Sequence, residues 1–580
     1  MLVLGLSNMR DASAALTEDG RILAAAEEER FVRVKHVTAL PVHAIRSCLH
    51  TAGVRLCDVD AVAVPWKYWE VRRRAALVLR GMLQSAQLRK AKARRSFERL
   101  GQEWKELMFL RRFLSRQVDG TACPDPVFLD HHLCHAASTV LVSPFKQAAV
   151  LIVDGASESH TTTLARADGQ TIDVLSRIPL PHSLGQFYAA VTAYLGFVPD
   201  QDEYIVMGLA GYGKPVFART LRDRILPLLA DGEFHLNTSL LDFHLARLRI
   251  FAPEFLELFG PARPPGGEVT GRHRDFAASV QCVLEETMLH LARHLRRMTG
   301  LTRLCLAGGV AYNCVANSRL RRESGFDDIY VPPAAGDSGA ALGAALWLTH
   351  RRGALTSRTP MRTAAWGPGY EDRDCKGALD AAGLDVETLS DGKLSEKVAV
   401  ELASGRLVFW FQDRMEFGPR ALGNRSLLAD PRREDVRELI NAKVKHREPF
   451  RPFAPSVLEE RAGEYFDLSG SSPFMLFTAP VLPSARERIP AVVHVDGSAR
   501  VQTVDEYANP RYRLLLEAFD RLTGVPVLLN TSFNVNEPIV CTPEDAVRCF
   551  LRTDVEWLVM GNLLAKRPGL PSGSSSGTGR

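Results

Sequence analysis

The chain opens with short apolar runs separated by turn formers: LVLGLS, the turn NMRDAS, AALTED, Gly20 and RILAAAEEE. This order predicts strand, turn, strand, turn, strand over residues 1–27. The plan returns over 148–179 as AAVLIVDG, ASESHT, TTLARAD, Gly169 and QTIDVLSRI. Both copies place an Asp and a small hydroxyl residue in the first turn and an acidic residue with Gly in the second, so the pattern reads as a duplication. Paired hairpins of this kind suit a two-lobed nucleotide-binding fold, where turn amides and hydroxyls grip phosphate. A helical period over 273–299 then leads to the strand LTRLCLA, the turn GGVAYN and a further helix. A second Gly-rich turn, AAGDSG, precedes an Ala-rich helix. Residues 353–370 are rich in turn formers and read as a linker between a first domain, 1–352, and a second, 371–565. The Gly/Ser/Pro-rich tail, 566–580, is expected to be disordered.

Composition narrows the class. A content of 46% apolar and 24% charged residues is that of a soluble globular protein. No apolar run of about 18 residues is present, and the N-terminus lacks the basic start of a signal peptide, so no membrane role is expected. Ten cysteines without a C-x-x-C pair fit reduced thiols in a cytoplasm. The net charge of +5 hides an asymmetry: Val71–Gln117 holds fourteen Lys/Arg against three Glu, a local +11 that leaves the rest at −6. With few interleaved aromatics and no nucleic-acid motif, this stretch reads as a solvated basic helical insertion, and nucleic acid is not an expected partner.

Three groups of residues carry candidate chemistry. His131 and His135 in DHHLCHAAS are four apart, so on a helix both imidazoles share one face. Asp154 ends the strand-like run VLIVD, and Asp337 lies in the second Gly-rich turn. Two imidazoles with one or two carboxylates suit Fe, Zn or Mn better than Ca or Mg. Gly308 and Gly309 would let backbone approach a nucleotide, and Asn313 and Asn317 share a helical face. Beyond residue 400, EFGPRALGNRS, NAKVKHREPFRPFAP and LLNTSFNVNEP concentrate Arg420, Arg425, Lys445, Arg447 and Arg451 beside Asn530, Thr531 and Ser532, a set able to offset several phosphate charges.

With AAAEEERFVRVKH, DHHLCHAAST, VMGLAGYG, LAGGVAYNCVAN and GDSGAALGAA, these blocks resemble the carbamoyltransferases of antibiotic and nodulation-factor biosynthesis, the NodU and CmcH type that includes tobramycin carbamoyltransferase. The resemblance implies an α/β protein with a duplicated actin-like (ASKHA, Kae1-like) N-terminal domain and a YrdC-like C-terminal domain. It implies that carbamoyl phosphate and ATP, with Mg2+, give carbamoyl adenylate in the second domain. The first domain would then transfer the carbamoyl group to a hydroxyl of a small natural product. By motif, Arg420 and Lys445 fall among the catalytic positions, and Arg451, Arg500, Asn530, Ser532 and Gly336 along the bound ligands, as do Gly308, Gly309 and Asn313. His131, His135, Asp154 and Asp337 match metal ligands, with Fe2+ expected. A homodimer is left open. Two residues depart from the pattern. Arg10 stands where a histidine, the candidate base, usually precedes Asp11, which leaves Asp11 as the catalytic candidate of that turn. Ile205 replaces a usual lysine. Two other readings keep the fold: a threonylcarbamoyl-adenylate-type transferase acting on tRNA, and a nucleotide-binding partner impaired in catalysis.

Overall fold

The computed structural model describes residues 1–70, 76, 106–241, 251–356, 358–448 and 450–568. Apart from residue 76 and 106–117, the basic stretch expected at 71–117 lies outside the described residues, as does the tail beyond 568.

Two five-stranded sheets repeat one topology. In the first, β1 (Leu2–Ser7) pairs antiparallel with β2 (Ser13–Glu18), which pairs with β3 (Arg21–Glu27). On its other side β1 runs parallel to β4 (Ala61–Val64), and β4 to β5 (Pro126–Phe128). The second sheet copies this with β6 (Gln147–Val153), β7 (His160–Asp168), β8 (Thr171–Pro179), β9 (Arg303–Ala307) and β10 (Asp328–Tyr330), in the order β10-β9-β6-β7-β8. Central β6 is covered on both faces, with Val150, Leu151 and Ile152 all fully buried. That is why its sequence is a continuous apolar run rather than an alternation. The duplicated topology is that of the actin-like domain expected from the sequence. A third sheet of eight strands, built between Val386 and Lys566, forms the mixed α/β C-terminal part, in keeping with a YrdC-like unit.

The helices His131–Val140 and Asp337–Arg351 carry candidate residues and meet backbone to backbone. A Cβ at Gly343 would lie 1.8 Å from the Cys134 carbonyl oxygen and 3.0 Å from Ser138 Cβ. Only glycine permits this approach. Gly343→Ala must therefore push the helices apart, and is expected to cost about 1–3 kcal/mol of stability and to weaken metal binding. A wild-type urea midpoint for Gly343→Ala would refute this account.

The two halves are laced together by the short helix Glu29–Val32 and the loop after it. Buried Arg30 pairs with Glu27 (2.8 Å) and Glu29 (2.9 Å) and donates from Nη2 to the Gly418 carbonyl (2.8 Å). Arg33 donates to the carbonyls of Ile539 (2.7 Å) and Pro538 (2.5 Å). Among the described residues no helix is long and apolar enough to cross a membrane.

Candidate functional site

Asp130 starts the first of these helices by accepting from the Leu133 amide (3.0 Å) as its N-cap. The helical period then stacks His131 and His135, with ring centroids 4.5 Å apart and Nε2 atoms 3.1 Å apart. Asp154 enters from the end of β6 and Asp337 from the first turn of the Asp337–Arg351 helix. His131 Nε2 lies 3.2 Å from Asp154 Oδ2 and 3.4 Å from Asp337 Oδ1, and His135 Nε2 lies 3.7 and 3.5 Å from the same atoms. All four sequence candidates thus converge, with one ligand atom of each within 4.8 Å of the others.

Neighbouring groups orient the cluster. His131 Nδ1 faces the Pro65 carbonyl at 3.0 Å, which favours Nδ1–H and leaves the Nε2 lone pair for a ligand. Trp66 packs edge-on to His131 at 5.9 Å. Asp154 Oδ1 accepts from the Gly309 amide at 2.9 Å, so Oδ2 is presented to the histidines. Burial alone would depress the His131 pKa, but the carboxylates of Asp154 and Asp337 raise it well above its ordinary value. Asp154, despite burial, is held far below the carboxylate range by His131 and the other imidazoles. Asp337 Oδ1 and His135 Nδ1 are buried without a hydrogen-bond partner. Two imidazoles and two carboxylates brought this close form an N2O2 donor set that fits Fe, Mn or Zn.

The Gly-rich turn has a packing reason closer to hand than a nucleotide. Gly308 has φ 95°, and a Cβ there would lie 2.3 Å from the Val153 carbonyl oxygen. Gly309 holds Asp154, and Gly336 lies under the ring of Tyr312, 2.8 Å from where its Cβ would be. Asn313 turns inward instead of toward the cleft: its Oδ1 accepts from the Ala316 amide (2.9 Å) and from Gln281 (3.0 Å), and its Nδ2 donates to Gln281 Oε1 (2.9 Å). Asn317 likewise donates to the Ala311 (2.7 Å) and Leu476 (3.0 Å) carbonyls. Both are tied into the fold by these bonds, and Asn317 Oδ1 is left buried without a partner. Ile205 is buried in the helix Glu203–Ala210, so it replaces a lysine with core packing.

The basic residues of the C-terminal half divide into two kinds. Arg425 is structural: it donates to the carbonyls of Gln412 (2.5 Å) and Asp413 (3.2 Å) and stacks on Phe411 (3.7 Å). Arg425 leaves only its Nε unpartnered, whereas Arg420, Arg447 and Arg500 donate to no acceptor among the described residues, and Arg420 Nε, Arg500 Nε and both Nε and Nη2 of Arg447 are buried. Burial, then neighbouring Arg451, pushes Arg447 down to about 9. Burial, then Arg420, does the same to Arg500. Arg451 stacks on Tyr204 at 4.7 Å. Buried Lys445 donates to the Ser532 (2.6 Å) and Asn534 (2.8 Å) carbonyls and to Asn534 Oδ1 (2.7 Å); burial, then Arg447, depresses it well below its ordinary pKa. Asn530 donates to Gln502 Oε1 (3.0 Å) and Ser456 Oγ (3.1 Å) and leaves its own Oδ1 buried and unpartnered. Buried N–H groups without acceptors are costly, and this cationic chamber gathers several of them. Tyr312 packs on Gly336, the neighbour of Asp337, and acts electrostatically on Arg420.

Sequence reasoning had not placed Pro65, Trp66 or Tyr312 at the site, and no periodicity signals them. His160 is placed behind the cluster, where it meets Ser159 (2.9 Å) and Arg177 (2.8 Å) rather than the cleft.

Comparison with known proteins gives the family. The family model for the carbamoyltransferase N-terminus matches residues 2–346, and that for the carbamoyltransferase C-terminus matches 399–567. Nodulation protein NolNO of Sinorhizobium fredii is 41% identical over 565 residues, covering 96% of this chain and 79% of that protein. Nodulation protein NolO of Bradyrhizobium diazoefficiens is 43% identical over 448 residues, 76% of this chain and 79% of that one. An uncharacterized protein of Synechocystis sp. is 41% identical, covering 98% of this chain and 97% of its own length. The chain belongs to the carbamoyltransferase family and is an enzyme of that type.

Proposed function

We propose that this carbamoyltransferase makes carbamoyl adenylate in its C-terminal half, 371–565, and uses it in its N-terminal half, 1–352, to carbamoylate a hydroxyl of a small natural product. The observation that carries the reading is the set of unpartnered guanidinium N–H groups of Arg420, Arg447 and Arg500. Carbamoyl phosphate and ATP together supply the many phosphate oxygens such a set can accept. In the first step water cleaves the carbamoyl–phosphate bond and phosphate leaves. The resulting carbamate oxygen attacks the α-phosphorus of ATP, and pyrophosphate departs. Arg420, Arg447, Arg451 and Arg500 would offset the developing charge, while Lys445 fixes the Ser532–Asn534 turn. Mg2+ would accompany the ATP.

In the N-terminal half, His131, His135, Asp154 and Asp337 would hold a divalent metal, Fe2+ being favoured. A bound metal there supplies Lewis-acid stabilisation of charge at the carbamoyl or phosphoryl oxygen. Tyr312 and Gly336 would line the path of the intermediate and keep it from water.

The test is incubation with ATP, carbamoyl phosphate and a panel of hydroxylated sugars, aminocyclitols and macrocycles. Pyrophosphate release that needs carbamoyl phosphate is expected, with one carbamoylated product detected by mass. Pyrophosphate release indifferent to carbamoyl phosphate would end this reading.

A further inference from the structure

The first turn lacks the histidine that its motif carries elsewhere in the family. Arg10 stands there with Nη1 3.5 Å from Asp200 Oδ2, and an arginine does not give up its proton in a protein. A different imidazole reaches this turn. His36, from the loop after the helix Glu29–Val32, places Nδ1 2.7 Å from Asp11 Oδ1. Loop and turn are fastened to each other by the Ala12 amide donating to the Val37 carbonyl (3.0 Å). The His36 amide donates to Glu29 Oε2 (3.0 Å), and Glu29 is itself held by Arg30 (2.9 Å).

Two further observations mark the pair as more than a surface contact. Asp11 and His36 both have positive φ, 57° and 54°, a region that non-glycine residues seldom occupy and that gathers at functional sites. Both side chains are a little under one-third exposed, at 29% and 28%, and His36 Nε2 has no hydrogen bond among the described residues. The turn is also anchored beside the metal cluster. Ser13, two residues beyond Asp11, donates to the carbonyl of Ser338 (2.8 Å), the neighbour of Asp337.

We propose that His36, oriented by Asp11, is the general base that activates the acceptor hydroxyl, replacing the missing first-turn histidine. This rests on the transfer reading above. Asp11 accepts from Nδ1–H, which leaves the Nε2 lone pair to take up a proton. The acceptor's hydroxyl proton moves to Nε2 as its oxygen bonds to the carbamoyl carbon. The bond from that carbon to the adenylate oxygen breaks, and AMP leaves with the electron pair. His36 is then a catalytic residue and Asp11 a positioning one, as in other carboxylate–imidazole pairs. Glu203 is the competing base: it lies near Arg10 and His36, and burial raises its pKa to about 7.

The test separates the two half-reactions and uses water as the acceptor. The full chain is supplied with ATP and carbamoyl phosphate; pyrophosphate release reports adenylate formation, and single-turnover AMP release reports its breakdown. His36→Ala is expected to release pyrophosphate at the wild-type rate and AMP roughly 10²- to 10⁴-fold more slowly, with imidazole in the buffer restoring part of the loss. Asp11→Asn should slow the same step alone. AMP release that is unchanged in His36→Ala, slowed without imidazole rescue, or lost together with pyrophosphate release overturns the assignment. So does slowing in Glu203→Gln with none in His36→Ala. Absence of pyrophosphate from the wild-type protein instead sinks the adenylate reading on which the assignment stands.

Discussion

Replacing His135 by Ala is expected to abolish carbamoyl transfer while leaving carbamoyl-phosphate-dependent pyrophosphate release at its wild-type rate. His135 supplies one of four donors that meet within 4.8 Å, and it lies in the half without the cationic chamber. Loss of one imidazole leaves three donors, two of them the carboxylates of Asp154 and Asp337, so both metal affinity and charge stabilisation should fall. Lewis-acid stabilisation amounts to several kcal/mol, and a loss of about 4 kcal/mol is close to a thousandfold in rate. A chelator added to the wild-type protein should mimic the substitution, and restored metal should reverse the chelator but not His135→Ala. Metal content measured on the purified variant gives an independent readout. If His135→Ala stops both half-reactions, the two chemistries are not divided between the halves as proposed.

Arg420→Ala should do the opposite. Its guanidinium lies beside Arg451, Cys314 and Tyr312, with Nε buried and unpartnered, and under the proposed reading it meets a phosphate. Removing one preorganised donor from a charge-stabilising site costs about 10²–10³ in rate. Adenylate formation is expected to fall by that factor, and Arg420→Lys should recover only part, since an ammonium lacks the planar fork. The fold should hold or gain slightly, because a buried cation without a counter-ion is removed. Retained thermal stability with collapsed pyrophosphate release is therefore the expected pair of results. Severe unfolding would assign Arg420 a structural role instead, as the contacts of Arg425 already do for that residue.

The chain's local patterns carried much of this structure. The strand–turn–strand repeats at 1–27 and 148–179 are visible as apolar runs broken by Asp, Ser and Gly, because each strand is cut off by its own turn residues. The His131/His135 spacing is legible because helix geometry is local. What brings Asp337 onto those histidines is not legible, for it depends on the backbone contact at Gly343, and nothing in one sequence tells a contact glycine from a flexible one. Asn313 shows the converse. Its type and position suit a sugar contact, but the 29-residue helix Gly271–Thr299 brings Gln281 against it and takes every polar atom. Arg425 and Arg420 stand five apart in one motif and look alike until the carbonyls of Gln412 and Asp413 are seen to turn one of them inward.

The Glu29–Val32 segment has a bearing on how such a chain can change over generations. The stretch that places His36 beside Asp11 also hands Arg30 to Gly418 and Arg33 to Pro538 and Ile539. A substitution near Gly418 or Pro538 is thus expected to be felt at the loop that carries His36. Severed between 353 and 370 into two genes, the halves would expose the buried charge of Arg30 until they met again. New acceptor preferences are accordingly expected to arise by substitutions along the N-terminal cleft within an unbroken chain, not by exchange of one half for a relative's.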